Sequence, residues 1–104
     1  MTGNRNLPEA FDAIKTSLQA RAIIDVLDRE STANDRLLSA WLATIGLGLS
    51  YRALGERLDR MEKDGLLRTE MVENMRVVHL LRLGRDVASG HEASDWIARK
   101  ELPD

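Results

Sequence analysis

The chain has 104 residues, and 15 basic against 17 acidic side chains give it a net charge of −2. This length fits one domain, and the proportions of hydrophobic (43%) and charged (31%) residues are typical of a folded globular protein. The chain has no cysteine, which excludes disulfides, thiolate metal sites and cysteine nucleophiles. Because no apolar run is long enough for a signal peptide or a membrane span, we expect a cytoplasmic protein without membrane contact.

The first part of the chain predicts a terminal segment followed by a long helix. Residues 1–8 are polar without periodicity, which is typical of a flexible N-terminus. From Phe11 to Ala22, apolar residues recur at steps of three and four, which predicts a helix over about 9–29. The apolar stripe widens toward the C-terminal half of this helix. We therefore expect the helix to face both its own core and a second subunit.

Two more helices are predicted, joined by a short turn. The apolar spacing over 34–45 indicates a helix, and Gly46 and Gly48 then favour a tight turn. Ser50 has the chemistry of an N-cap, so a third helix is expected over 51–64.

After Gly65 the apolar pattern changes. Residues 66–72 and 76–81 are short segments containing Val or Thr, separated by a gap of turn length, which predicts a β-hairpin. A short helix or a turn is expected over about 83–90.

The domain is expected to span 9–90 and to be followed by a C-terminal tail over 91–104. Within this tail, a final helical turn or two is predicted over 94–100. Trp96 and Ile97 form a lone apolar pair that needs a burial site, either on the long helix of the same chain or across a dimer.

The order of these elements is that of a helix-turn-helix unit followed by a hairpin, or wing. Residues 50–68 are similar to the family pattern in which a recognition helix runs into Leu-Glu-Lys-x-Gly-Leu-Ile-x-Arg. Residues 78–85 resemble the closing wing strand followed by Leu-Thr-x-x-Gly-Arg, with Leu81 where the family often has Thr. The chain thus resembles winged helix-turn-helix regulators of the MarR, PadR or ArsR type, and 84–90 also resembles small regulators carried by Mu-like prophages.

The resemblance implies a mainly α fold with a small β-hairpin, a long N-terminal helix and a short C-terminal helical tail. It also implies a sequence-specific transcriptional regulator that binds double-stranded DNA. Helix 51–64 would read the major groove, where base edges are distinguishable, and the 66–82 wing would contact the backbone or the minor groove.

Candidate DNA-binding residues follow from placing Leu54, Leu58 and Met61 toward the core. Arg52 then points outward from the first turn and is suited to guanine. Ser50 and Tyr51 could donate to phosphate. Glu56 could accept from cytosine. The full predicted set is Ser50, Tyr51, Arg52, Glu56, Arg60 and Lys63 on the helix, with Arg68 and Arg76 beside the hairpin.

Two alternatives stay open for the outer face of helix 51–64. Opposite charges four residues apart are typical of any solvated helix, and a winged-helix module can bind protein instead of DNA.

No enzyme motif, metal cluster or cofactor motif is visible, and His79 and His91 alone do not form a zinc site. We expect a homodimer, because pairing two small modules doubles their phosphate contacts.

Overall fold

A computed structural model describes residues 3–100, with side chains from Leu7 onward. It contains four helices and one three-stranded antiparallel sheet and is mainly helical. In chain order the elements are α1 (Gly3–Glu30), β1 (Thr32–Asn34), α2 (Asp35–Thr44), α3 (Tyr51–Lys63), β2 (Leu67–Val72), β3 (Met75–Leu80) and α4 (Arg82–Ser89). No helix in this described range is long and apolar enough to cross a membrane.

Helix α1 begins earlier than the predicted start at residue 9. It passes through Pro8, which lacks an N–H and therefore removes one hydrogen bond from the helix. The backbone from Gly3 to Pro8, predicted to be part of a flexible terminus, is thus helical, while residues 1 and 2 lie outside the described residues.

The core lies between the second half of α1, the other three helices and the inner face of the sheet. The three residues predicted as the buried side of α3, Leu54, Leu58 and Met61, are at most 1% exposed, which confirms that prediction. Opposite them, α1 contributes three fully buried side chains, Ile23, Ile24 and Leu27. This aliphatic packing fixes the side of α3 that faces inward.

Strand β1 was not predicted, because three residues are too short to show an alternating pattern. Ser31, with φ of 70°, turns the chain out of α1, and its carbonyl accepts a hydrogen bond from the Leu80 N–H at 3.1 Å. Thr32 then pairs with His79, so the sheet has the order β1-β3-β2. Asn34 at the end of this strand caps α2, since its side chain accepts from the Leu37 N–H at 2.8 Å.

The predicted turn between α2 and α3 is confirmed, and it is tied to α1. The buried amide of Gln19 donates from Nε2 to the Leu47 carbonyl at 3.2 Å and accepts from Arg57 Nε at 3.3 Å. At the start of α3, the Ser50 hydroxyl accepts from the Ala53 N–H at 3.0 Å, as an N-cap does. Both ends of the turn are therefore held by side-chain hydrogen bonds.

Helix α4 lies close against the start of β2. A Cβ on Gly84 would fall far inside van der Waals contact with the Leu66 carbonyl oxygen and the Leu80 side chain. Leu81 stands at the N-cap of α4 and makes no side-chain cap hydrogen bond, because a leucine side chain has no acceptor. The buried Arg21 instead supports the other end of α4, where it donates to the carbonyls of Val87 and Ala88.

The predicted helical tail over 94–100 is wrong, because this segment is irregular. Its backbone bonds to another element rather than to itself: the Ala98 N–H donates to the Ser17 carbonyl of α1 at 3.2 Å. Ile97 is 5% exposed and belongs to the core, with Trp96 half-buried beside it. Of the two burial sites considered for this pair, the structure shows packing on its own domain.

We predict that Gly84→Ala lowers the free energy of unfolding by about 3 kcal/mol, because backbone would have to move to admit the methyl group. Gly55→Ala is the matched control. It lies inside α3 with its nearest atom at 3.9 Å, so it should stabilise the protein by about 0.5–1 kcal/mol. Urea unfolding of the two variants measures both effects, and equal stabilities would contradict the close packing of α4.

Candidate nucleic-acid interface

The outward face of α3 carries three exposed charged side chains. Arg52 in the first turn, Glu56 one turn later and Lys63 at the last residue are all exposed. No hydrogen bond or ion pair joins any of them to another side chain between Leu7 and Lys100. Their charged groups are therefore available to an external ligand.

The pairs with four-residue spacing on this face are not formed. The charged nitrogens of Arg52 and Arg60 do not come within 4.0 Å of the Glu56 carboxylate. Lys63 likewise forms no ion pair with Asp59. Asp59 pairs instead with a residue of the sheet, and Arg60 stacks on an indole ring. The outer face of α3 is therefore not neutralised by ion pairs within the helix.

Arg76 connects α3 to the sheet and is largely withdrawn from solvent. Its Nη2 lies 2.7 Å from Asp59 Oδ1 and 3.3 Å from Glu62 Oε1, and its Nη1 donates to the Gly55 carbonyl at 3.4 Å. The side chain is 18% exposed. Its backbone N–H donates to Asp35 Oδ1, which adds α2 to the same junction. Predicted as a DNA contact, Arg76 is placed by the structure as an internal brace.

Glu62 is the acceptor at the centre of this junction. Thr69 of β2 donates both its N–H, at 3.0 Å to Oε2, and its hydroxyl, at 2.8 Å to Oε1. These two hydrogen bonds, and after them the positive charge of Arg76, hold the pKa of Glu62 below its ordinary value of 4.5. The Glu62 carboxylate therefore stays charged at neutral pH and joins α3 to β2.

The other flank of α3 is held by the C-terminal tail. The guanidinium carbon of Arg60 lies 4.1 Å from the centre of the Trp96 ring, a cation–π distance. The indole N–H of Trp96 donates to Asp64 Oδ2 at 2.8 Å. The tail thus covers the C-terminal end of this flank and leaves the Arg52 side uncovered. Arg60, predicted to reach DNA, is placed against Trp96.

Arg68 lies on the opposite face of the sheet from α3. Side chains alternate along a strand, and Thr69, which bonds to α3, defines the inner face. Arg68 stands directly opposite His79 on the outer face, where His79 Nε2 lies 3.0 Å from Glu70 Oε1. Arg68 itself is exposed, but the structure does not bring it together with Arg52.

The tip of the hairpin carries apolar and acidic residues. Met71 is 65% exposed and Val72 is 46% exposed, and Glu73 begins the turn with φ of 57°. No Lys or Arg lies between Glu70 and Met75. The tip of the hairpin therefore offers no cationic side chain that could contact a phosphate.

Two predicted phosphate donors lie at the start of α3. The Ser50 hydroxyl accepts from the helix backbone, although it remains exposed and keeps its own proton to donate. Tyr51 is 59% exposed. Like Arg52, they are exposed at the N-terminus of the helix, where backbone N–H groups favour anions.

The structure thus brings together part of the predicted site. It places Ser50 and Tyr51 at the N-terminal end of α3 beside Arg52, aligns Arg52, Glu56 and Lys63 along the outer face, and separates Arg60, Arg68 and Arg76 from them. Sequence reasoning missed the structural role of Glu62, and it predicted a burial site for Trp96 but not its contacts with Arg60 and Asp64. The only sequence signal for Glu62 is a carboxylate on the flank of α3 that precedes a Thr-bearing strand.

Known proteins give no further assignment of this surface. Comparisons with protein-family models, with curated proteins and with solved structures return no match for this chain. Over the residues with described side chains, no group of three or more His, Asp or Glu residues is arranged to hold a metal ion.

We predict that Glu62→Gln lowers the free energy of unfolding by roughly 1 kcal/mol at neutral pH, since an amide cannot accept from both Thr69 groups. The folded-state pKa of Glu62 is lowered, so its contribution is present above the unfolded-state pKa and is lost as pH falls through the folded-state value. The difference in free energy of unfolding between wild type and Glu62→Gln should therefore disappear at acidic pH.

Glu56→Gln is the matched control, because Glu56 lies on the same helix without a partner among the described residues. It should change stability by less than about 0.5 kcal/mol. Chemical unfolding at neutral and acidic pH measures all three proteins. A Glu62→Gln deficit that is independent of pH would contradict the role assigned to this carboxylate.

Proposed function

We propose that this chain is a winged helix-turn-helix regulator that binds double-stranded DNA, with α3 in the major groove. The observation that carries the proposal is the outer face of α3, where Arg52 is exposed and unpaired within the described chain. The order of α2, turn, α3 and hairpin supports the same assignment. An α-helix fits the major groove, where the donor and acceptor pattern of each base pair is distinct.

The dimensions of α3 suit this use. Its 13 residues span about 20 Å, and Arg52 and Lys63 lie about 16 Å apart along the axis. A recognition helix contacts base edges mainly through its N-terminal residues. Arg52 is therefore assigned to a guanine, and Lys63 to a backbone phosphate. Glu56, midway along the same face, is suited to accept from a cytosine amino group.

The proposed contact surface is narrower than the sequence prediction. Arg76 and Arg60 serve to hold α3 from its two flanks, so their contribution to DNA binding is indirect. Arg68 lies on the outer face of the sheet and could reach only a phosphate beyond the hairpin. Base recognition is thus proposed to rest on the first two turns of α3.

The net charge of −2 limits nonspecific attraction to DNA. A single copy offers few phosphate contacts, and the acidic remainder of the surface opposes them. Pairing two copies by a two-fold axis presents two α3 helices to two half-sites and doubles the favourable contacts. We therefore propose that the chain acts as a homodimer.

A second candidate is a winged-helix module that binds protein without DNA. The observation that favours it is the hairpin tip, where Met71 and Val72 are exposed beside Glu73 and no cation is present. Exposed apolar side chains suit a protein partner better than a phosphate backbone. Under this candidate, Met71→Glu abolishes partner binding and Arg52→Ala does not.

We predict that Arg52→Ala weakens binding to the preferred duplex by about 1–3 kcal/mol and relaxes its sequence preference. Duplexes enriched from a randomised library by the wild-type protein provide the probe, and fluorescence anisotropy at several salt concentrations provides the measurement. Lys63→Ala should weaken binding to all sequences alike and lower the salt dependence.

Arg29→Ala is the charge-matched control. Arg29 is exposed in the last turn of α1, so its loss should leave sequence preference unchanged. If the library yields no duplex that binds better than random DNA at low salt, the proposed function is wrong.

A further inference from the structure

The first half of α1 carries an apolar stripe that the described chain leaves uncovered. Leu7 and Phe11 are each 64% exposed, Ile14 is 58% exposed and Leu18 is 43% exposed. Every residue from Leu7 to Ile14 is exposed, whereas the helix from Gln19 onward enters the core. The stripe therefore lies on a helical arm that projects from the domain.

The size of this stripe sets it apart from ordinary surface apolar residues. Its four large side chains expose roughly 400 Å² of contiguous surface, within the range of functional patches on monomers. Covering such a patch with a second one buries roughly 800 Å² in total, which is the scale of a weak, reversible association.

The spacing of the stripe shows what can cover it. The steps of four, three and four residues repeat the a and d positions of a helix pair. This spacing is also the same in both chain directions. An antiparallel copy crossing between residues 12 and 13 places Leu7 opposite Leu18 and Phe11 opposite Ile14. The stripe is thus complementary to itself under a two-fold axis, as an isologous dimer requires.

The flanks of the stripe agree with the same arrangement. Lys15 borders one flank of the stripe, and two-fold symmetry sets it level with residue 10 of the other copy, so the two Lys15 side chains lie about 7 Å apart along the helix axes. The other flank carries the small side chains Ala10 and Ser17, which allow the two helices to approach closely. Neither flank places like charges opposite one another.

From this geometry we infer that the stripe formed by Leu7, Phe11, Ile14 and Leu18 is the surface on which a second copy of this chain docks antiparallel. The inference deepens the proposed function, since it names the surface that would join two DNA-reading helices. The association itself involves no DNA, so it can be tested separately.

The first test is sedimentation equilibrium of the full chain across the micromolar range without DNA. Wild type is expected to dimerise, and Phe11→Glu should raise the dissociation constant at least about tenfold, because a charge would be buried without a partner. Leu37→Glu is the matched control, because Leu37 is also a large exposed apolar residue (56%) but lies on α2. Far-UV circular dichroism confirms that both variants fold.

The second test establishes whether the two α1 helices pair antiparallel. Because the chain has no native cysteine, only the introduced cysteines can cross-link. Leu7→Cys and Leu18→Cys lie about 16 Å apart along one helix, too far for a disulfide between identical positions of an antiparallel pair. Oxidation should therefore cross-link an equimolar mixture of the two variants and neither variant alone.

A wild-type monomer throughout the micromolar range, or a Phe11→Glu variant that dimerises as wild type does, would overturn the inference. Cross-linking of Leu7→Cys with itself would overturn the antiparallel arrangement. A monomer that still binds its duplex through Arg52 would refute this interface and the proposed homodimer, and would leave the proposed DNA binding by α3 standing.

Discussion

Helix α3 is fixed from three directions, and its one remaining face is what the chain offers to a ligand. Leu54, Leu58 and Met61 anchor it to the core. Glu62 and the partly buried Arg76 hold its flank to the sheet, while Trp96 in the tail holds the other flank through Arg60 and Asp64. A helix held in this way loses little freedom on binding, which lowers the entropic cost of recognition.

Charge is used differently on the held and free sides of α3. On the sheet side, Arg76 is matched by two carboxylates, so it stabilises the fold but adds little to the external potential. On the free side, Arg52 and Lys63 have no partner in the described chain, and Glu56 lies between them. This face therefore carries one more positive than negative charge, which is compatible with DNA binding by an acidic protein. Specificity would come from the positions of these side chains on α3, and a second copy would add affinity.

Periodicity predicted most of the helices, because each buries one apolar side that repeats every three or four residues. Ser50 predicted the start of α3 by its capping chemistry, and the change of pattern after Gly65, which has a positive φ, marked the end of the helix. Strand β1 was missed because three residues carry no period. Arg76 was misassigned because its partners lie 14 to 41 residues away along the chain, and only tertiary structure shows that it is partly buried. The tail was predicted as helix because local spacing cannot reveal that Ala98 bonds to α1.

The central claim, that DNA is bound on the outer face of α3, is tested most directly by two-dimensional ¹H–¹⁵N NMR. The labelled protein would be titrated with the duplex selected from a random library. The account predicts that the largest shift changes occur for backbone amides between residues 50 and 63, with smaller changes on the outer face of the sheet and none along the first half of α1 beyond those caused by dimerisation. Shift changes confined to the hairpin tip or the tail, with α3 unaffected, would contradict it.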